Sequence, residues 1–289
     1  MRLKAEIAKR LAATRGFVFD LDGTLVLGDK HNKGLRTLPG AVRMLEDLNR
    51  RRFPYAILTN GTVRPPHELA GKLRDAGLPI EGDCVVTPSS VAGESLAREG
   101  CRTVLALGGE GVIRPLADAG LEVVTPAKLG RRKVDAVFAG WFREFTMSDL
   151  EAACTAVERG ATLGTASMSL YFATAGGKAI GTSRAICAMV TSVTGARPRI
   201  FGKPSLAALR SASRKLGIAT RHLAVLGDDP TLEVEMAHRG RALAIGVRSG
   251  VAGTSEFDKM PRDRRAHILV HNVGELHRLY LQSLGNQKP

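Results

Sequence analysis

The stretch Phe17-Val18-Phe19-Asp20-Leu21-Asp22-Gly23-Thr24-Leu25-Val26 constrains this chain most. An apolar run leads straight into two carboxylates and a glycine. Phe17, Val18 and Phe19 suit a strand covered on both faces, as in a parallel α/β sheet. Asp20 and Asp22 are two apart, so on an extended backbone their side chains leave from one face. Gly23 lets the chain turn sharply away from the strand. Carboxylates held this close raise each other's pKa and resist burial. The pair therefore calls for a compensating cation, and the rest of the chain can be searched for partners.

Strand and helix signals alternate through the first third. A helix from Ala41 to Arg50 presents Val42, Leu45 and Leu48, and Tyr55–Leu58 is a second buried strand ending at Thr59-Asn60-Gly61. Pro65-Pro66 opens a further helix, and Cys84–Val86 is a short strand. A second alternating block follows: strands at Thr103–Leu107 and Val134–Phe138, a helix from a Ser148 cap to Arg159, and a helix from about Lys178 to Thr194. The last third returns to the first pattern, with a helix from Ser205 to Leu216, a strand Leu223–Leu226 ending at Gly227-Asp228-Asp229, a helix Thr231–Arg239, a strand Ala242–Ile245 and a closing helix from Val273. This order predicts an α/β fold with a doubly wound, Rossmann-like parallel sheet. The sheet is split by a large α/β insertion: residues 1–98 and 199–289 form the core, 99–198 a cap.

Charge and cysteine usage narrow the class. Lys and Arg number 42 against 28 Asp and Glu, a net charge of +14, which raises the question of nucleic acid. The basic clusters Arg50-Arg51-Arg52, Arg131-Arg132-Lys133 and Arg262/Arg264/Arg265 are not interleaved with aromatics as in single-strand binders. Nucleic acid is therefore set aside as the main partner. No run approaches the roughly 20 apolar residues of a membrane span. Leu3, Ile7 and Leu11 predict a short amphipathic helix instead of a signal peptide. Cys84, Cys101, Cys154 and Cys187 lack metal-site or redox spacing and read as buried thiols of a reducing, cytoplasmic compartment.

Parallel α/β sheets bind ligands at the carboxyl ends of their strands. Four polar turns qualify: Asp20/Asp22, Thr59/Asn60, Gly202-Lys203-Pro204 and Asp228/Asp229. Carboxylates of the first and last groups suit a hard cation such as Mg²⁺, while Thr59 and Lys203 suit phosphoryl oxygens.

Taken in order, Asp20-x-Asp22-Gly23-Thr24, Thr59-Asn60-Gly61, Gly202-Lys203-Pro204-Ser205 and Gly227-Asp228-Asp229 resemble the four motifs of the haloacid dehalogenase (HAD) superfamily. The Thr-Asn wording, the Gly-Lys-Pro-Ser turn, the long insertion and Leu107-Gly108-Gly109-Glu110-Gly111 resemble its NagD-like, subclass IIA phosphatases. The resemblance implies a Mg²⁺-dependent phosphatase acting on a small phosphorylated metabolite. It implies Asp20 as nucleophile through an aspartyl-phosphate, and Asp22 as general acid and base. Mg²⁺ would be held by Asp20, the Asp22 carbonyl and Asp228, and phosphate by Thr59, Asn60 and Lys203. Asp229 reads as a helix cap or a support for the ligands. Glu233, near where the family often has an aspartate, is another such support. Ser167-Met168-Ser169 stands where the subclass usually has an Asn-Pro-Asp-like turn, making Ser167 and Ser169 candidates for substrate contact. Trp141 is expected in cap packing or a dimer interface, and the family suggests a homodimer through the cap. The rival readings are a phosphomutase or other phosphotransferase, which shares the first step, and a catalytically silent binding or scaffold protein on the same fold.

Overall fold

The structure is a computed structural model that describes residues 3–28, 34–174, 177–250 and 254–285. Gly16–Phe19 lies inside a six-stranded parallel sheet. The order runs Ile268–Val270, Leu243–Val247, Leu223–Gly227, Gly16–Phe19, Tyr55–Leu58, Val85–Val86. Every residue of Gly16–Phe19 is buried, because helices cover both faces and leave no polar side. Phe17 and Phe19 enter one apolar cluster with Leu45 and Leu48 of the Ala41–Arg50 helix and Tyr280 of Val273–Gly285. Val18 points the other way, into a cluster with Leu209 and Ala212 of Leu206–Leu216 and Val91 of Pro88–Arg98. This alternation is the period-two signature of a strand. Although aromatics are scarce, Phe17 meets Phe19, Phe53 and Tyr280 at ring separations of 5.2–5.6 Å.

The second sheet is also parallel and has five strands, in the order Arg199–Ile200, Thr162–Thr165, Ala136–Ala139, Thr103–Leu107, Glu122–Val124. Its last strand pairs Arg199 with Gly164 and Ile200 with Thr165, so sheet membership changes after Ile200, two residues beyond the expected division. The two sheets share an apolar cluster: Val18, Leu58 and Val86 belong to it with Val104, Phe138 and Phe201.

Local differences from the expected elements have identifiable causes. The helix expected from Lys178 begins at Thr182. Before it, Gly177–Ile180 pairs antiparallel with Tyr171–Thr174. Strand-forming Tyr171, Phe172 and Thr174 and the break at Gly181 outweigh helix propensity there. The helix expected to open on Ser148 spans Met147–Glu158 and is capped by Thr146. Thr146 and Asp149 exchange hydrogen bonds as a capping box, with the Thr146 N–H 2.7 Å from the Asp149 carboxylate. The segment expected as one helix from Thr231 opens as a π turn, Pro230–Val234, and turns α-helical only over Glu235–Arg239. The N-terminal amphipathic helix is Ala5–Ala12, with Leu11 buried and Leu3 and Ile7 packed on the core. No helix among the described residues is long and apolar enough to cross a membrane.

Candidate active site

Three adjacent strands deliver three motif segments to one edge. Parallel pairing aligns the carboxyl ends of Leu223–Gly227, Gly16–Phe19 and Tyr55–Leu58, which places Asp228, Asp20 and Thr59 side by side in strand order. Lys203 arrives from the other direction, just beyond the Arg199–Ile200 edge of the second sheet. Ser205 then caps the next helix, accepting the Ala207 N–H at 3.1 Å.

The site is built on an ion pair. Lys203 is 3% exposed, and its ammonium contacts the Asp20 carboxylate and lies 2.6 Å from Glu233. Burial would lower the Lys203 pKa, but Asp20 and Glu233 outweigh it and raise it, so the lysine is charged. The second Asp20 oxygen accepts the Thr24 hydroxyl at 3.0 Å. Burial, reinforced by Asp20, pushes the Asp22 carboxyl up to about 7, against the opposing pull of Lys203 and a Thr59 hydrogen bond. Glu233 is likewise pushed up to about 7 by burial, with Lys203 pulling the other way. The Thr59 hydroxyl also accepts the Gly61 N–H at 2.9 Å.

Asp228 is buried and closely cradled. A Cβ on Gly23, which sits at φ +89°, or on Gly250 would land on its carboxylate. Only glycine combines that backbone conformation with that approach. Asp229 caps the π turn, its Oδ1 accepting the Thr231 N–H at 2.8 Å and hydroxyl at 2.7 Å. Glu233 accepts the Asp229 N–H at 3.1 Å. Of the two roles open to Asp229, the geometry realises the cap.

These side chains face one cavity of about 140 Å³, lined by Asp20, Asp22, Asn60, Lys203, Asp228, Asp229 and Glu233, with Ser167 and Ser169 from the insertion opposite. Thr59 lies behind that wall and lines a smaller neighbouring cavity with Asp22 and Gly61. Residues 17–122 match the haloacid dehalogenase-like hydrolase family, and residues 200–276 match a HAD-hydrolase-like family. The chain belongs to the HAD superfamily. Its relatives within that superfamily are phosphatases, and its fold is that of NagD. It is 28% identical to an acid sugar phosphatase of Staphylococcus saprophyticus over 246 residues, 85% of this chain and 90% of that protein. Its fold matches NagD from E. coli K-12 with a TM-score of 0.79 at 22% identity, covering 91% of this chain and 98% of that one. A glycerol phosphate phosphatase from Mycobacterium tuberculosis, in complex with calcium, matches with a TM-score of 0.80 at 27% identity, over 94% of this chain and 76% of that one.

The donor set of this HAD site fits a hard divalent cation. The described residues lining the cavity carry five carboxylates against the single ammonium of Lys203. No three His, Cys, Asp or Glu side chains among the described residues close around one point as a finished metal centre. Asp20 and Asp228 both line the cavity, and carboxylate oxygens of this kind suit a hard divalent cation that keeps several of its waters.

Asn60, expected among the phosphate-binding residues with its backbone orienting the nucleophile region, lines the cavity, and its side-chain amide bonds the Lys203 main chain and Ser167. Trp141, expected in packing or a dimer interface, lines the cavity, and its main-chain N–H donates to the Thr62 hydroxyl at 2.7 Å. Thr62, Val63, Tyr171, Thr182, Ser183 and Leu232 also line it. Sequence reasoning missed them because no motif marks them. Only for Thr62 and Val63 was there a signal, in their closeness to Thr59-Asn60-Gly61.

Proposed function

We propose that the protein is a Mg²⁺-dependent hydrolase of small phosphomonoesters that works through an aspartyl-phosphate on Asp20. The observation that carries this reading is the convergence of Asp20, Asp22, Asp228 and Lys203 on one cavity whose far wall carries hydroxyls. Asp20, Asp228 and the Asp22 carbonyl would hold the ion. When bound, the ion neutralises part of the carboxylate charge that would otherwise repel a phosphate dianion.

The chain's own groups supply the rest. An Asp20 oxygen attacks phosphorus and the ester P–O bond breaks. Asp22, with its pKa near 7, gives its proton to the leaving alkoxide. In the second half Asp22 takes a proton from water, the water oxygen attacks phosphorus, and the Asp20–phosphorus bond breaks to release inorganic phosphate. Lys203 offsets the charge that spreads over the transferring group. Thr59 holds Asp22 through its hydrogen bond. Ser167, Ser169, Thr182, Ser183 and Tyr171 bring hydroxyl-bearing residues to the opposite wall, which favours a small polyol or sugar phosphate. The four free thiols fit a cytoplasmic location.

The test is hydrolysis of 4-nitrophenyl phosphate and a panel of small phosphate esters with Mg²⁺, alongside Asp20→Asn and a chelator. The wild type is expected to turn over, Asp20→Asn to lose nearly all activity, and the chelator to stop the reaction until Mg²⁺ is restored. Undiminished turnover by Asp20→Asn removes the nucleophile assignment.

A further inference from the structure

Asn60 is where the Tyr55–Leu58 strand end, the Lys203 turn and the insertion meet. Its side-chain oxygen accepts the Lys203 N–H at 2.7 Å. Its NH₂ donates to the Lys203 carbonyl at 3.1 Å and to Ser167 Oγ at 3.2 Å. The orientation of the amide is fixed by chemistry, since a main-chain N–H only donates and a carbonyl only accepts. The peptide groups on both sides of Lys203 are thus gripped by one side chain.

The other end of the grip is equally committed. Ser167 is buried, and its Oγ accepts the Ser169 N–H at 3.0 Å and lies 3.0 Å from Ser169 Oγ. Its carbonyl accepts the Thr165 hydroxyl at 3.2 Å and the Ser183 hydroxyl at 3.1 Å. The Gly202 N–H donates to the Ala166 carbonyl at 2.9 Å. A Cβ on Gly202 would strike both that carbonyl and the Asn60 oxygen, so this approach admits glycine alone. Ser169 and Ser183 line the cavity. A continuous set of hydrogen bonds therefore runs from the cavity wall through Ser167 and Asn60 to the backbone that carries Lys203.

We propose that Asn60 is a positioning residue that couples the seating of the insertion's wall to the placement of Lys203 over Asp20. The Ser167–Ser169 turn, which lines the cavity, sets through Asn60 where the ammonium stands. The kinetic consequence rests on the phosphatase reading; the structural coupling does not.

The test combines Asn60→Leu, Ser167→Ala and the double variant, read by kinetics on 4-nitrophenyl phosphate, by melting temperature, and by hydrogen exchange of peptides covering 200–206. Asn60→Leu is expected to remain folded and to lower kcat by about 10- to 100-fold, the scale of a small misplacement of a charged group, with KM little changed. Ser167→Ala should lower kcat less. The double variant should be no worse than Asn60→Leu, because the Ser167 arm acts through Asn60. Exchange over 200–206 should quicken in both single variants. If Asn60→Leu fails to fold, Ser167→Ala carries the test, and it must show both the kcat loss and the faster exchange. Wild-type kcat in folded Asn60→Leu, or losses that multiply in the double variant, overturns the proposal. If the wild type proves inactive towards every ester, the phosphatase reading fails by itself. Unchanged exchange over 200–206 in the variants then separately overturns the coupling.

Discussion

Glu233 Oε1 stands 2.6 Å from Lys203 Nζ, and both residues are nearly sealed from solvent. The lysine is therefore shared between Asp20 and a glutamate delivered by the π turn. A Cβ on Gly227 would collide with Glu233, so the strand end is shaped to admit this side chain. Replacing Glu233 removes a counter-charge while leaving the nucleophile in place.

Glu233→Gln is expected to fold and to lower kcat by about tenfold or more. With its second partner neutral, Lys203 pairs more tightly with Asp20 and is less available to the transferring phosphoryl group. Steady-state kinetics on an aryl phosphate would measure this; an unchanged kcat would mean that Asp20 alone suffices to place the ammonium.

The seam between the two sheets can be tested at Gly111, within the glycine-rich stretch Leu107–Gly111. An added Cβ there would strike the main chain of Thr62, Val63 and Arg64, and backbone cannot swing aside as a side-chain tip can. Gly111→Ala is expected to destabilise the protein by about 1–3 kcal/mol, as overpacking does. Trp141 is the single tryptophan, and its main chain is tied to the Thr62 hydroxyl, so a displaced Thr62 segment should move the indole and shift its fluorescence in the folded variant. A variant with wild-type melting and emission would show that the seam yields freely.

A third expectation concerns acid. Burial, with Arg10 and His238 nearby, lowers the His267 pKa from 6.5 to about 4. Its Nδ1 accepts the Ala244 N–H at 3.0 Å, and its ring stacks on His238 at 4.7 Å. Between these pH values the unfolded chain binds a proton at this residue and the folded chain does not. Stability from His267 is thus present above pH 6.5, falls as pH drops towards 4, and is constant below. Melting temperature measured across this window should fall less steeply for His267→Gln than for the wild type. Equal slopes would assign the acid loss to other groups.

Much of the fold was legible in the sequence because burial on both faces demands unbroken apolar runs. Gly16–Phe19, Tyr55–Leu58 and Leu223–Gly227 announce themselves this way. The paired strands Tyr171–Thr174 and Gly177–Ile180 did not, because neither is an unbroken apolar run. Thr146 was overlooked as a cap because Ser148, two residues later, offered an equally suitable hydroxyl.

The sequence by itself determined that Asp20, Asp22, Thr59, Lys203 and Asp228 belong to strand ends of one α/β sheet system, since each follows an apolar run or stands at a turn that leads into a helix. Only the tertiary structure decided what each side chain does there. It turned Asp229 into a cap, gave Glu233 to Lys203, brought Trp141 to the cavity and engaged Asn60 with the Lys203 backbone. Periodicity reports which face of an element is buried. It carries no information on which polar atoms meet across 143 residues of chain, as Asn60 and Lys203 do, because that is fixed by how the two sheets close on each other.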